Sequence, residues 1–253
     1  MMPDETVVDV SQDWVLACDV QQRFMQGADR TTLSLLDYSA QCRQARALGG
    51  DCYDFIPLTD NRLALIVGDA SGKGLASALM MANVQASLRT ATLFSADNLA
   101  SALKVVNHQA YASSLADRYA TLFYGVFDGA TRTLRYVNAG HNPPIVLRCE
   151  GSIQWLGSGG APVAMFPDSQ YQESCVQLSA GDLVIIYTDG LVEATNPVGD
   201  EWGVEGLLNA AAACYRERSW RTGDLVRLIF NSMDNYSHGH QSDDATLAVL
   251  HVR

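Results

Sequence analysis

Two strand-like runs joined by a two-residue turn constrain this chain more than any other feature of its sequence. The segments CYDFIPLT and RLALIVGD flank Asp60-Asn61, a residue pair that favours a tight β-hairpin turn. A hairpin centred there pairs residues whose numbers sum to about 120. Asp51 and Asp69 then face each other, with their Cα atoms roughly 5 Å apart. Because like charges that face across strands destabilise a sheet, this pair indicates a bound cation.

Further strands alternate with helical segments along the rest of the chain. A strand-turn-strand unit, ATLFYGVFDGATRTLRYVNAG, turns around Asp128-Gly129, and the apolar strand in GDLVIIYTDG breaks at Asp189-Gly190. The last strand, ATLAVLHV, directly follows Asp243-Asp244. Since no repeat or Pro/Gly-rich linker interrupts the pattern, we predict one α+β domain, a layered sandwich of largely antiparallel sheets flanked by helices.

Apolar residues at helical spacing predict five helices, over about 6–26, 74–93, 97–115, 203–214 and 222–235. The first carries Val10, Trp14, Ala17 and Phe24 at this spacing, so it either packs on the body of the protein or pairs with a partner. In the second, Leu75, Leu79, Met80 and Leu88 form the predicted buried side.

The positions of four aspartates indicate a metal site. Asp189 ends one strand and Asp243 precedes another, so the two carboxylates share a sheet edge if those strands are antiparallel neighbours. Taken singly, each position is more often a turn or cap residue. Together with Asp51 and Asp69 they make an oxygen-only ligand set, which suits Mg²⁺ or Mn²⁺. A pair of such ions can bind a phosphoryl oxygen and activate a water molecule.

Composition excludes several other classes. The net charge of −11 disfavours nucleic acid as a partner. No apolar run is long enough to span a bilayer, and the acidic N-terminus lacks the layout of a signal peptide. The six cysteines are scattered without a C-x-x-C pair, which predicts a reducing, cytoplasmic location without a disulfide framework.

The glycine-rich stretch VGDASGKGLASALMMA resembles a phosphate-binding P-loop but fails its spacing. Val67 occupies the position of the first glycine, and Gly74 replaces the Ser or Thr that follows the lysine. Asp69 also lies inside the loop, where it would repel a phosphate. A nucleotide-binding kinase is therefore the weakest of the functions considered.

Six motifs, in order, resemble the metal-dependent protein phosphatase (PPM) family, in its bacterial branch of stage II sporulation E-type serine phosphatases. They are ALGGDCYDF, VGDASGKGLASALMMA, ATLFYGVFD, YVNAGHNPPIVLR, GDLVIIYTDGLVEATN and DDATLAVL. The resemblance implies a β-sandwich of two antiparallel sheets flanked by helices over residues 37–253. It also implies hydrolysis of phosphoserine or phosphothreonine on a partner protein, with an anti-sigma-factor antagonist of the STAS type as the expected substrate.

The same resemblance implies a site for two divalent cations, Mn²⁺ or Mg²⁺. Its ligands would be Asp51, Asp69, the backbone carbonyl of Ala70, Asp189, and Asp243 or, less well matched, Asp244. Asp51 and Asp69 would be the bridging, catalytic pair. Residues 1–36 would form a helical segment for dimerisation or for docking of a regulator.

Several interpretations stay open at the level of sequence. A catalytically silent phosphoprotein-binding module, a pseudophosphatase, would keep the same fold. Lys73 could attract the substrate phosphate or be a solvated lysine, and His141 could act in acid–base catalysis or stabilise a turn. Arg43 and Arg46 lie near Asp51 in sequence, but nothing ties either of them to the phosphate.

Overall fold

The computed structural model describes residues 10–25, 35–215 and 221–253, which form two β-sheets between two layers of helices. The ten strands in these ranges are β1 (Leu36–Arg43), β2 (Cys52–Pro57), β3 (Arg62–Ala70), β4 (Ala120–Asp128), β5 (Thr133–Ala139), β6 (Ile145–Leu147), β7 (Ile153–Trp155), β8 (Ser174–Gln177), β9 (Leu183–Tyr187) and β10 (Ala245–Val252). The six helices are α1 (Val10–Phe24), α2 (Leu75–Ser95), α3 (Leu99–Ser113), α4 (Asp189–Val192), α5 (Gly203–Tyr215) and α6 (Thr222–Ser237).

The two sheets pack face to face, and all pairs of these strands are antiparallel. One sheet has the order β1-β10-β9-β6-β7 and the other β2-β3-β4-β5-β8. Side chains such as Leu65 and Phe123 from one sheet meet Val184 and Ile186 from the other in a buried core. Helices α2 and α3 cover the outer face of the second sheet, and α5 and α6 cover that of the first. The predicted α+β sandwich, with layers α-β-β-α, is confirmed.

The register of the β2–β3 hairpin is the one that the sequence predicted. Cys52 pairs with Gly68 and Pro57 with Leu63, which places Asp51 beside Asp69 at the open end. Asp60 and Asn61 both have a φ of 60°, the conformation that tight hairpin turns require. The second predicted pairing also forms, because β9 and β10 are antiparallel neighbours with Tyr187 opposite Leu247. Asp189 and Asp243 therefore lie at one sheet edge.

The predicted buried side of α2 was wrong for two leucines. Leu75 and Leu79 are 43% and 63% exposed, whereas Leu88 is fully buried. Small residues occupy the inner face near the start of the helix, because Ser77 and Ala78 pack there. The Cβ atom of Ser77 lies only 3.2 Å from the position that a Cβ of Gly50 would take, so a leucine has no room there.

The N-terminal helix forms over Val10–Phe24, whereas residues 6–9 and 26 of the predicted helix lie outside the described residues. Trp14 and Phe24, two of its predicted apolar contacts, are 39% and 48% exposed. No helix in the described part of the chain is long and apolar enough to cross a membrane. The five cysteines whose side chains are described are free thiols.

Candidate metal centre

Asp51 lies at the bottom of the site, on the loop that enters β2. Its side chain is 1% exposed, and the hydroxyl groups of Thr188 and Thr246 donate to the same oxygen, Oδ2, at 2.8 and 2.7 Å. This arrangement fixes the carboxylate and leaves its other oxygen available to a cation. Burial, followed by the charge of Asp69, raises the pKa of Asp51 well above its usual range.

Asp69 and Ala70 end β3 directly beside this loop. The Ala70 N–H donates to the Gly50 carbonyl at 3.2 Å, and the Ala70 carbonyl oxygen lies 2.7 Å from where a Cβ of Gly50 would be. A side chain at position 50 would therefore push the two loops apart. Burial, followed by the charges of Asp189 and Asp243, raises the pKa of Asp69 to about 7.

Asp189 joins these carboxylates from the other sheet. It is the first residue of α4, immediately after β9 and Thr188. A Cβ at Gly190 would lie 2.0 Å from the carbonyl oxygen of Asp244, so glycine allows the Thr-Asp-Gly and Asp-Asp segments to touch. Burial has the largest effect on the pKa of Asp189 and raises it, and the charge of Asp243 raises it further.

Asp243 and Asp244 have different surroundings, which bears on the choice that the sequence left open. The Asp244 carboxylate is buried and accepts the N–H groups of Ala45 and Gly50, each at 2.7 Å. Both of its oxygens therefore hold the loop that carries Asp51. Asp243 is half-exposed, and its Oδ2 forms a 2.8 Å ion pair with Nζ of Lys73. This geometry favours Asp243 as the ligand and Asp244 as a support for the Gly-Gly-Asp loop.

The donor set fits divalent cations that prefer oxygen ligands. Four carboxylates and one backbone carbonyl lie at one edge of the sandwich, and the buried Asp51 and the partly buried Asp69 lie next to each other with raised pKa values. Cations between them would remove this repulsion. Lys73 is the cation that contacts the set, through Asp243 and the Ser242 carbonyl at 2.8 Å. Its position pairs it with a carboxylate, so it is neither solvated alone nor free to hold a phosphate.

A second group of ligand-type side chains lies elsewhere. Cys149, Glu150 and Asp182 are the three described residues of this kind whose ligand atoms all lie within 4.8 Å of one another; the four aspartates are spaced more widely. Asp182, however, is already satisfied, because it accepts from Arg148 at 2.7 Å and from the Ser179 N–H at 2.8 Å. This cluster stabilises a surface turn, and it shares no residue with the aspartate site.

Thr188 and Thr246 are the residues of the site that sequence reasoning missed. Each adjoins a motif aspartate, in Thr-Asp-Gly and in Asp-Asp-Ala-Thr. The two residues are also linked to each other, since the backbone N–H of Thr246 donates to Oγ1 of Thr188 at 2.8 Å. A threonine at the end of each strand that flanks the site was the available signal.

His141 is a buried neighbour of the site. Its side chain is 4% exposed, its Nδ1 lies 3.0 Å from Oγ1 of Thr121, and its N–H donates to Oδ1 of Asn138 at 2.8 Å. Nε2 has no hydrogen-bond partner among the described residues. This enclosure favours the turn-stabilising role over acid–base catalysis, which needs contact with the substrate.

Burial of His141 predicts a specific loss of stability in acid. Desolvation lowers its pKa from 6.5 to about 4, so only the unfolded chain gains a proton between these values, and stability falls as the pH falls through this range. Between pH 7.5 and pH 5 we expect the wild type to lose about 2 kcal/mol more unfolding free energy than His141→Gln. Urea denaturation at both pH values measures this difference. Parallel losses in the two proteins would contradict it.

Solved structures place this arrangement in a known class of fold. The SiaA-PP2C domain of Pseudomonas aeruginosa matches with a TM-score of 0.81 at 19% identity, over 96% of this chain and 97% of that one. RsbX in complex with magnesium matches with a TM-score of 0.63 at 17% identity, over 87% of this chain and 96% of that one. The fold is therefore that of the PP2C-type, or PPM, phosphatases.

Sequence comparison identifies the family within this class. Residues 59–253 match the model of the SpoIIE family, stage II sporulation protein E, and the chain belongs to that family, as its motifs predicted. Protein IcfG of Synechocystis sp. (strain ATCC 27184 / PCC 6803 / Kazusa) is 27% identical over 92% of this chain and 40% of its own length. Phosphoserine phosphatase RsbP of Bacillus subtilis (strain 168) is 26% identical over 81% and 50%. The chain spans at most half the length of these two relatives.

Proposed function

We propose that this chain is a metal-dependent protein serine/threonine phosphatase that hydrolyses phosphoserine or phosphothreonine on a regulatory protein. The observation that carries the proposal is the Asp51–Asp69 pair: two carboxylates held side by side, Asp51 buried and Asp69 partly buried, both with raised pKa values. Such a repulsive pair destabilises the fold, and cation binding explains its presence. Membership of the SpoIIE family and the name of RsbP support the same reaction.

The proposed ligands are Asp51, Asp69, the Ala70 carbonyl, Asp189 and Asp243. Two cations, Mn²⁺ or Mg²⁺, would supply the positive charge that binds a phosphoryl oxygen and activates water for hydrolysis. The residues of the chain would position this chemistry. Thr188 and Thr246 hold the orientation of Asp51, and Asp244 holds the loop that carries it.

Hydrolysis of p-nitrophenyl phosphate tests the reaction. We expect the purified chain to release p-nitrophenol with Mn²⁺ or Mg²⁺ and to lose this activity in excess EDTA. Full activity in EDTA would contradict a metal-dependent mechanism. Tight binding of a phosphoserine peptide without turnover in either metal would instead favour the pseudophosphatase, the second candidate that the fold allows.

The finer proposal concerns the substrate and its compartment. We infer a cytoplasmic phosphorylated regulatory protein, of the type of an anti-sigma-factor antagonist with a STAS domain. The sequence resemblance and the phosphoserine specificity in the name of RsbP support it. Release of phosphate from such a phosphoprotein, faster than from a phosphopeptide cut from it, is the expected result.

We also propose that residues 1–36 link a regulator or a second copy of the chain to the phosphatase domain, 37–253. Gln21 of α1 contacts the Gly-Gly-Asp loop, because its Nε2 donates to the Gly49 carbonyl at 2.7 Å and its Oε1 accepts the Gly49 N–H at 3.3 Å. Elsewhere on α1, the side chains of Val15 and Val20 are 61% and 50% exposed. A partner that covers them would act on the loop of Asp51 through Gln21.

Deletion of residues 1–26 should change oligomeric state, activity or both, since it removes the exposed apolar side of α1 together with the Gln21 contact. Gln21→Ala isolates the contact: we expect weaker Mn²⁺ binding with an unchanged oligomeric state. Size-exclusion chromatography and a Mn²⁺ titration measure the two effects. A deletion variant with wild-type oligomeric state and activity would overturn the proposal.

A further inference from the structure

Arg118 lies directly against the loop that carries Asp69. The β3–β4 pairing places Asp69 opposite Thr121 and Ala70 opposite Ala120, and it continues as the Ser71 N–H donates to the Tyr119 carbonyl at 2.8 Å. Nη1 of Arg118 then donates to the Ser71 carbonyl at 2.7 Å. Arg118 is three residues from Thr121, about 10 Å along the strand, and its side chain contacts the loop that follows Asp69 at Ser71 and Gly72.

Gly72 leaves room for the guanidinium group of Arg118 against this loop. A Cβ at Gly72 would be 1.8 Å from Nη1 of Arg118 and 3.5 Å from Nη2. Gly72 also has a φ of 86°, which a residue with a side chain rarely adopts. The glycine therefore serves both the turn and the close approach of a cationic group to the metal loop.

The donors of Arg118 are largely uncommitted. Seven other arginines form ion pairs with carboxylates, namely Arg43, Arg62, Arg89, Arg135, Arg148, Arg227 and Arg253. Arg118 has no such partner among the described residues, and its one hydrogen bond engages Nη1 alone. A half-buried guanidinium with free N–H groups is suited to an anion with several oxygens, which it can bind in a bidentate manner.

Two cavities flank Arg118 and are lined by exposed apolar side chains. The larger, of about 600 Å³, is lined by Leu115 and Phe166 among others, which are 70% and 57% exposed. The smaller, of about 280 Å³, is lined by Leu79, which is 63% exposed. The backbone of Phe166 is fixed, because the buried Asn107 donates to its carbonyl at 2.9 Å. Arg118 is the basic residue among the described residues that line the two cavities, and Asp117 is the carboxylate that lines the larger one.

We propose that Arg118 binds the phosphate group of the substrate and that the two cavities take apolar side chains on either side of the phosphorylated residue. The proposal rests on the proposed phosphatase function and assigns its substrate-binding surface. Charge complementarity identifies the occupant as a phosphorylated protein segment. A phosphate dianion that approaches a chain of net charge −11 gains from a cationic contact in addition to the proposed metal ions. Lys73 does not provide it, because Lys73 is paired with Asp243.

Arg46 offers a matched control. It is exposed and lies on the loop between β1 and β2, with Nη1 4.0 Å from the position of a Cβ on Gly74, yet it lines neither cavity. A general electrostatic effect would make Arg46→Ala and Arg118→Ala similar, whereas a specific contact would separate them.

Calorimetric titration of inorganic phosphate into the Mg²⁺-loaded protein tests the assignment without turnover. We expect Arg118→Ala to raise the Kd for phosphate at least about tenfold, Arg118→Lys to raise it less, and Arg46→Ala to change it less than about twofold. The Mg²⁺ affinity of Arg118→Ala should stay near that of the wild type. If Arg118→Ala bound phosphate as the wild type does, or lost phosphate and Mg²⁺ binding together, Arg118 would be a brace of the loop and the proposal would be wrong.

A second titration tests the cavities and the alternative occupant. Two phosphoserine peptides are compared, one with leucines and one with glycines on either side of the phosphoserine. We expect Phe166→Ala to weaken binding of the leucine-flanked peptide and to leave binding of the glycine-flanked peptide unchanged. If Phe166→Ala affected both peptides equally, or if it changed the oligomeric state of the protein, the cavities would have another occupant, such as a second copy of the chain, and the assignment would be wrong. Hydrolysis is measured separately. Selective binding of the phosphopeptide without hydrolysis would refute the proposed phosphatase function. Hydrolysis by the wild type, together with phosphate binding by Arg118→Ala that equals that of the wild type, would refute only this inference.

Discussion

Asp69→Asn should abolish phosphatase activity and, at the same time, stabilise the metal-free protein. The amide lacks the negative charge of the proposed cation ligand, so we expect hydrolysis to fall by at least about 100-fold, the upper end of the range for loss of a residue that only supports a metal ligand. In EDTA the effect on stability is reversed. The pKa of Asp69 rises from 3.8 to about 7 in the folded protein, which corresponds to about 4 kcal/mol of destabilisation above pH 7.

The sign of the stability effect follows from the direction of this pKa change. A carboxyl whose folded pKa is raised destabilises the fold once the pH exceeds both pKa values, and it has no such effect when both states are protonated. The advantage of Asp69→Asn in EDTA should therefore be greatest at pH 8 and vanish toward pH 4. Thermal unfolding in EDTA and in Mn²⁺ measures it.

Asp60→Asn is the matched control for this substitution. Asp60 is exposed at the hairpin turn with a φ of 60°, a conformation that asparagine tolerates well. We expect wild-type activity and an unchanged response to EDTA. Retention of Mn²⁺-dependent activity by Asp69→Asn, or equal stability of the two variants in EDTA, would contradict the role of Asp69.

The adjacent residues Asp243 and Asp244 should give opposite results when each is changed to alanine. Asp244→Ala leaves the N–H groups of Ala45 and Gly50 without their acceptor, at a cost of about 2–5 kcal/mol in unfolding free energy. Asp243→Ala loses a half-exposed ion pair with Lys73, which contributes at most about 1 kcal/mol. Its effect should appear instead as weaker Mn²⁺ binding.

Urea denaturation in EDTA and a Mn²⁺ titration separate the two residues. Asp244→Asn is a further control, since its remaining carbonyl oxygen still accepts one N–H and should recover part of the lost stability. A large loss of stability in Asp243→Ala together with normal Mn²⁺ binding would exchange the two assignments.

The predictions from sequence succeeded where local pairing determines the structure. The turn residues Asp60 and Asn61 fix the hairpin register, so the side-by-side placement of Asp51 and Asp69 followed from counting. The shared edge of Asp189 and Asp243 depended on one assumption about strand order, which the β9–β10 pairing satisfies. These features depend on the backbone more than on side-chain packing.

The predictions failed where a neighbouring loop decides which residues fit. Hydrophobicity placed Leu75 and Leu79 on the buried side of α2, but the close approach of Gly50 admits only small side chains such as Ser77 there. The sequence also placed the start of α3 near residue 97, whereas its N-cap is Asn98, whose side chain accepts the Ser101 N–H, and Asp97 pairs with Arg62. Long-range contacts of this kind leave no periodic signal in a single sequence.

Hydroxyl groups that hold Asp51 illustrate the same limit. Thr188 directly follows β9 and Thr246 lies in β10, each more than a hundred residues from Asp51 along the chain. Each is an ordinary residue for a strand end, and only the packing of the two sheets brings both hydroxyl groups to one carboxylate oxygen. The sequence could therefore name the carboxylates but not the residues that orient them.

Anomalous diffraction from crystals soaked in Mn²⁺ tests the central claim most directly. We predict two peaks at the edge of the sandwich, with oxygens of Asp51 and Asp69 bound to both ions and Asp189, Asp243 and the Ala70 carbonyl completing the set, at about 2.1 Å as in Mg²⁺ sites. Absence of a peak between Asp51 and Asp69, or a single peak at Cys149, Glu150 and Asp182, would contradict the account.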